Sequence, residues 1–195
     1  MTASLSSRRR TLTRLGAIGV AAVGVAGHPR AYAAVYLQRD DALKLLLPSA
    51  TSIAAVLIVW SSATLESIAA ASGARVPRSF APDCFVGRSA GDLAGWVCFD
   101  RVIGKYELID YAVGFDRSGS VTGVEIVAYH ESHGAEIRNA AWRRQFTGRK
   151  GPAEIRFGDD IRNITGATLS CQHVTDGVRL LSAVHATLLA PLETR

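Results

Sequence analysis

A run of small residues near the C-terminus, Thr165-Gly166-Ala167-Thr168, places two hydroxyls just before a long stretch of helical periodicity. A helix that begins here offers unpaired backbone N–H groups and the positive end of its dipole, which suit a phosphate group. The small residues leave room for a second molecule to approach Thr168. The plainer alternative is that Thr165 caps the helix with its side chain and Thr168 is an ordinary residue of the first turn.

The same run resembles the flavin-attachment motif of the FMN-binding domain family. That family includes the covalent-flavin subunits of the sodium-translocating NADH:quinone reductase and of the Rnf complex. Its last threonine carries FMN through a phosphoester bond. The resemblance implies FMN on Thr168, with Thr165, Gly166 and Ala167 around the phosphate. A separate flavin transferase would attach the group, so no catalytic residue is expected in this chain.

A second segment carries the resemblance at the end of the third predicted strand. The family has a His-x-Glu-Thr-Pro-Gly-like turn that lies against the flavin. Here Glu131, Ser132 and Gly134 fit that turn, while His133 stands where proline is usual. Further along the chain, Lys150 corresponds to the lysine of a Gly-Lys pair. The resemblance therefore adds these four fitting residues to the predicted FMN-binding site.

The resemblance covers about residues 92–188 and has one departure. The family commonly has Asp six residues before the modified threonine, and that position is Arg162 here. The implied function is an electron-transfer flavoprotein that relays electrons between a membrane reductase and a periplasmic acceptor, rather than an autonomous enzyme. Arg162 favours the alternative, a non-catalytic periplasmic module that binds FMN non-covalently or binds no flavin. No metal site is predicted, because the histidines near Glu131 lack His-Glu-x-x-His spacing.

The elements that must position these residues are predicted from periodicity. Segments 96–103, 106–115 and 121–129 are rich in β-branched and aromatic residues and are separated by turn-like residues, which predicts an antiparallel meander. Helices are predicted at 40–47, 64–71 and 136–146, and a closing helix of about 20 residues starts at the Thr-Gly-Ala-Thr motif. The fold class is therefore α+β, an antiparallel β meander packed against helices.

Three segments are harder to interpret from their residues. Segment 53–60 is a buried strand or a helix, 73–92 is a loop or irregular edge, and 155–157 is a further short strand. Cys84 and Cys98 either pair across a loop or, with Cys171, are packed thiols.

Residues 1–33 predict a cleavable export signal of the twin-arginine type. A basic start that includes Arg8 and Arg9 precedes a weakly apolar run and a small-x-small site near Ala33. This segment holds five of the 22 cationic residues and none of the 17 acids, so the rest of the chain is formally neutral. A nucleic-acid partner is therefore not expected. The predicted product is a soluble periplasmic domain, with 34–91 as its N-terminal helical or irregular segment and 92–195 as the FMN-binding part.

Overall fold

The computed structural model describes residues 34–131 and 134–193. The predicted export signal, Ser132 and His133 lie outside the described residues. Six strands form one antiparallel sheet in the order β1-β6-β5-β4-β3-β2. The strands are β1 (Ala34–Val35), β2 (Ser52–Val56), β3 (Asp83–Ser89), β4 (Asp92–Ile103), β5 (Leu108–Phe115) and β6 (Val121–Tyr129). The predicted meander is confirmed as β4, β5 and β6.

The helices lie close to their predicted positions, with one exception. They are α1 (Arg39–Leu46), α2 (Ser62–Ser72), α3 (Ala140–Arg143) and α4 (Thr168–Val184), which continues as a π-helical turn at His185–Leu189. The predicted helix at 136–146 is instead two 3-10 turns on either side of α3. Its interruption is at Asn139, whose side chain accepts a hydrogen bond from the N–H of Ala141 and starts α3 anew. In the part of the chain that the structure describes, no helix is both long and apolar enough to cross a bilayer.

Helices cover both faces of the sheet, so the α+β class is confirmed. On one face, Leu43 and Leu46 of α1 pack against Val97, Phe99 and Ala112. Residues in the alternate positions of the strands face α4, because successive side chains of a strand point to opposite faces. The apolar residues that α4 buries on this face recur at helical spacing, at Val174, Val178 and Leu181. Each fully buried side chain of this size contributes about 1.5–3 kcal/mol, so α4 is held firmly along its length.

Three sequence-based assignments need correction. Segment 53–60 contains strand β2, but its side chains are mostly exposed because β2 lies at the edge of the sheet. Segment 73–92, predicted as a loop or irregular edge, contains the strand β3. Glycine is required at position 87 of that strand, because a Cβ there would lie only 2.9 Å from the Cδ1 of Leu47. Segment 155–157 forms no strand, and Phe157 makes only an isolated bridge with Ile161.

Cys84 and Cys98 form a disulfide between paired residues of β3 and β4. The bond therefore joins neighbouring strands, rather than bridging the predicted loop. Cys171 is a buried free thiol on α4. Burial raises the pKa of the Cys171 thiol, which keeps it protonated and unreactive.

Candidate functional site

The Thr-Gly-Ala-Thr run forms a surface turn that leads into α4. The N–H of Ala167 donates to the carbonyl of Ile164 at 3.0 Å, and Gly166, the third residue of that turn, has a φ of +91°. A positive φ in this position is typical of a type II turn and favours glycine. No heavy atom outside the adjoining residues lies within 4 Å of where a Cβ of Gly166 would be. The turn is therefore open on this side to an approaching molecule.

Thr168 is the first residue of α4, and its side chain is exposed. The N-cap residue is Ala167, and no side chain in the described part of the chain caps the helix. The alternative in which Thr165 caps α4 is therefore wrong. The first backbone hydrogen bond of α4 is donated by the N–H of Cys171 to the carbonyl of Ala167, at 2.8 Å. The N–H groups of residues 168–170 precede it and are available to an anion.

The residues before the turn hold the loop in place. The side-chain amide of Gln145 accepts from the N–H of Arg162 at 2.9 Å and donates to its carbonyl at 3.4 Å. The indole Nε1–H of Trp142 donates to the same carbonyl at 2.8 Å. Next along the chain, the Nδ2 of Asn163 donates to the Oγ1 of Thr168 at 3.1 Å. Both the N–H and the carbonyl of Arg162 are therefore hydrogen bonded. The next residue, Asn163, is the one whose side chain contacts Thr168.

A cavity of about 300 Å³ lies against the turn and the start of α4. Its other walls come from the β4–β5 turn and from Glu131, two residues after the end of β6. The lining residues are Lys105, Tyr106, Glu131, Gly166, Ala167, Thr168, Leu169 and Ser170. The structure therefore brings four of the predicted site residues together at one cavity, namely Glu131, Gly166, Ala167 and Thr168.

The Glu131 carboxylate holds the β4–β5 turn. Its Oε1 accepts hydrogen bonds from the backbone N–H groups of Tyr106 at 2.5 Å and of Glu107 at 2.9 Å. Partial burial acts to raise the pKa of Glu131, but hydrogen bonds from these N–H groups and the charge of Lys105 outweigh it, and the pKa is lowered. Gly104 makes this approach possible, since a Cβ there would lie 2.7 Å from the same oxygen. Glu131 is therefore ionised, and its carboxylate fixes the backbone of one wall of the cavity.

Gly134 lies beneath the start of α4 rather than on the wall of the cavity. Its φ is +88°, and a Cβ would lie 2.6 Å from the hydroxyl oxygen of Tyr129 and 3.1 Å from the Oγ of Ser170. Those two hydroxyls are themselves 3.1 Å apart and hydrogen bonded. Only glycine fits both the backbone conformation and the space. Gly134 therefore packs directly against the first turn of α4.

The remaining predicted site residues are not part of this cavity. Thr165 is exposed in the turn but is not a lining residue. Lys150 pairs with Ser120, and its N–H donates to the Oε2 of Glu154 at 2.7 Å. Ser132 lies outside the described residues. The cation that does line the cavity is Lys105, whose ammonium is 4.9 Å from the centre of the Tyr106 ring.

Three residues of the site were not predicted as site residues from the sequence, although the strand order could have indicated two of them. Lys105 and Tyr106 were interpreted only as part of a turn and a strand, and Asn163 was not singled out. In an antiparallel meander, the turn between the first two strands and the end of the third lie at the same end of the sheet. Glu131 follows the third strand, so the β4–β5 turn had to lie beside it.

Two larger cavities, of about 540 Å³ each, flank Asp100 on β4 and contain no residue of the motif. The hydroxyl of Tyr111 donates to the Oδ2 of Asp100 at 2.8 Å. Burial raises the pKa of Asp100, and burial together with the Asp100 charge raises the pKa of Tyr111 well above its usual value. Gly177 of α4 leaves room for the Tyr111 ring. The pair is an interior contact between the sheet and α4.

The described residues hold no group of three or more His, Cys, Asp or Glu side chains placed to bind a metal ion. The Nε2 of His130 lies 3.3 Å from the Oδ2 of Asp110. Glu131 is occupied by backbone N–H groups, as described above.

The part of the chain that forms the 300 Å³ cavity is similar to a known family. Residues 104–182 match the FMN-binding domain family. This match confirms the predicted resemblance, and it contains every lining residue of that cavity. The matching family model describes an FMN-binding domain over these residues.

Two individual proteins illustrate the relationship. The chain is 26% identical over 153 residues to one component of the Na(+)-translocating ferredoxin:NAD(+) oxidoreductase complex of Acetobacterium woodii, a match that covers 73% of this chain and 72% of that one. It is also similar to the crystal structure of Shewanella oneidensis NqrC, with 15% identity and a TM-score of 0.48. That similarity covers 58% of this chain, which spans 62% of the solved chain.

Proposed function

We propose that this protein is an exported flavoprotein that carries FMN on Thr168 through a phosphoester bond. In this proposal it is cleaved near Ala33 and relays electrons between a membrane reductase and a periplasmic acceptor. One observation carries the proposal. Within the matched residues, Thr168 presents an exposed hydroxyl at an uncapped helix N-terminus, beside a cavity.

The residues around Thr168 fit a phosphate group. The N–H groups at the start of α4 can donate to phosphate oxygens, and the helix dipole stabilises a negative charge there by about 0.3–1 kcal/mol. Gly166 has open space where a side chain would be, so a phosphate on Oγ1 would meet no Cβ from the turn. Lys105, which also lines the cavity, adds a positive charge.

The other walls fit a flat, partly apolar ring. Tyr106 and Leu169 line the cavity with side chains that are 75% and 42% exposed. Exposed apolar groups of this size beside a cavity are available to cover a ring. When bound, FMN supplies one- and two-electron redox chemistry, and the protein supplies position and electrostatics. Glu131 holds the backbone of the β4–β5 turn, so Lys105 and Tyr106 keep their places beside that ring.

The partners follow from the same proposal. A component of an oxidoreductase complex is a relative over nearly three quarters of this chain, which supports a membrane or periplasmic redox partner. Covalent attachment requires a flavin transferase for maturation. We therefore expect this domain to be a substrate of that enzyme first and an electron carrier afterwards.

The experiment is intact-protein mass spectrometry after co-production with a flavin transferase. Wild type should gain the mass of one FMN less one water, and Thr168→Ala should gain nothing. Thr51→Ala, which removes an exposed threonine elsewhere in the fold, should be modified like wild type. Peptide mapping should place the added mass on the peptide that contains Thr168.

The same experiment decides the alternative function. An unmodified wild type, with a transferase that modifies a control domain, would exclude covalent FMN. FMN that co-purifies but is lost on acid precipitation would then identify a non-covalent binding module. A colourless protein would identify a module without flavin.

A further inference from the structure

The hydroxyl of Thr168 has one side-chain partner among the described residues, the amide of Asn163. The contact spans five residues of chain and crosses the type II turn from outside α4. Asn163 follows the residue whose peptide groups are bound by Gln145 and Trp142. Its backbone therefore starts from a fixed point, and its side chain loses less entropy on making this contact than it would in a free loop.

The direction of the hydrogen bond matters for the chemistry. The Nδ2–H of Asn163 donates, and the Oγ1 of Thr168 accepts. In attachment, Oγ1 attacks the phosphorus of FAD that bears the riboflavin. An Oγ1–P bond forms, the pyrophosphate P–O bond breaks, AMP leaves, and the hydroxyl proton passes to a base of the transferase or to solvent. Negative charge develops on Oγ1 as its proton leaves, and a hydrogen bond donated to an oxygen favours its charged form.

We propose that Asn163 is a positioning residue for flavin transfer, holding the Thr168 hydroxyl in one rotamer and stabilising Oγ1 as it loses its proton. The inference rests on the proposed function, which it deepens. The Thr168 hydroxyl retains its own proton for the base, because Asn163 takes up only one of its acceptor positions. The phosphorus can then reach the remaining side of Oγ1 through the space beside Gly166.

The first test is the kinetics of modification of the full exported domain by purified transferase and FAD. Asn163→Ala should lower kcat by about ten- to a hundredfold, with KM for the domain within about threefold of wild type. Asn163→Asp preserves the shape but cannot donate when ionised, and its charge repels that developing on Oγ1. It should lower kcat at least as much as the alanine variant. Arg162→Ala keeps the peptide groups that Gln145 and Trp142 bind, so it should retain the wild-type kcat.

The second test needs no transferase. Three-bond couplings between the Cγ2 of Thr168 and its backbone nitrogen and carbonyl carbon report the χ1 rotamer in unmodified protein. Wild type and Arg162→Ala should show one rotamer, and Asn163→Ala should show averaged couplings.

The outcomes separate the two proposals. A wild-type domain that the transferase never modifies overturns the proposed function. A wild type that is modified, with kcat of Asn163→Ala or Asn163→Asp unchanged, overturns this inference alone. Couplings that remain those of a single rotamer in Asn163→Ala overturn it as well.

Discussion

The two ends of α4 differ in what they leave exposed. At the N-terminal end, Thr168 and Leu169 face solvent, and no side chain of the described residues caps the helix. At the C-terminal end, His185 is only 4% exposed, and its ring lies 5.2 Å from that of Phe115 and 6.4 Å from that of Trp96. One end has polar groups available to another molecule, whereas the other is closed within the core.

The difference shows how a helix can present reactive groups without being loose. The closed end and the buried face hold α4 against the sheet, so its first turn needs no cap of its own to stay in place. A side-chain cap would occupy the N–H groups that a phosphate requires. The cost of leaving them uncapped, about 1 kcal/mol, is small beside the burial along the rest of the helix.

The largest effect should come from filling the space under the open end. Gly134→Ala adds a methyl against the Tyr129 hydroxyl at a positive φ and should destabilise the unmodified protein by about 3 kcal/mol. Gly148 also has a positive φ, +82°, but has open space around it, so Gly148→Ala should cost only about 1 kcal/mol. Urea unfolding measures both. Equal costs would mean that Gly134 does not pack closely on Tyr129 and the first turn of α4.

The closed end should make stability depend on pH. Burial lowers the pKa of His185 below its usual 6.5, with opposing effects from Asp116 and Lys150. Its Nε2 is buried with no hydrogen-bond partner in the described part of the chain. Below pH 6.5 the unfolded chain therefore binds a proton that the folded state resists. Stability should fall with decreasing pH, by at most about 1.4 kcal/mol per pH unit.

The comparison for that experiment is His185→Phe, which cannot titrate. The difference in unfolding free energy between wild type and this variant should be constant above pH 7 and change steadily from pH 6.5 to 5. A difference that stays constant over the whole range would show that His185 does not titrate with folding.

A smaller and more local effect is expected when the tryptophan near each end of α4 is replaced. Trp142→Phe removes a hydrogen bond to the carbonyl of Arg162, worth about 1 kcal/mol, and should speed exchange of the Arg162 amide by about fivefold. The Nε1 of Trp96 is buried without a partner among the described residues, so Trp96→Phe loses no such bond. It should leave exchange at Arg162 unchanged. Faster exchange in both variants would mean that the attachment loop is held only by global stability.

Much of the fold could be predicted because its signals are local. Strands β4 to β6 are rich in β-branched and aromatic residues and end at turn residues, and α4 repeats its apolar residues at helical spacing. Strand β3 escapes prediction because the two prolines and three glycines of segment 73–92 indicate a loop. One of those glycines, Gly87, is required by close contact with Leu47, at the end of α1. A glycine that is required by contact with another element cannot be told from a loop glycine by its neighbours in the sequence.

The candidate site divides in the same way. Thr168, Gly166 and Glu131 were singled out because they belong to short motifs, and they do lie at one cavity. The resemblance to a family Gly-Lys pair assigned Lys150 to the site, yet Lys150 pairs with Ser120 elsewhere in the fold. Asn163 contacts Thr168 only because the intervening turn folds back, which spacing alone does not reveal.

Because of the disulfide between β3 and β4, the yield of oxidised protein depends on whether oxidation comes before or after folding. Cys84 is 2% exposed and Cys98 is fully buried, so an oxidant cannot reach either sulfur once the two strands have closed. The bond must form while the strands are still apart, or during a later opening of that pair. Material that folds in a reducing cytoplasm would therefore be trapped as the dithiol, and air exposure after purification would oxidise it only as fast as the strands separate.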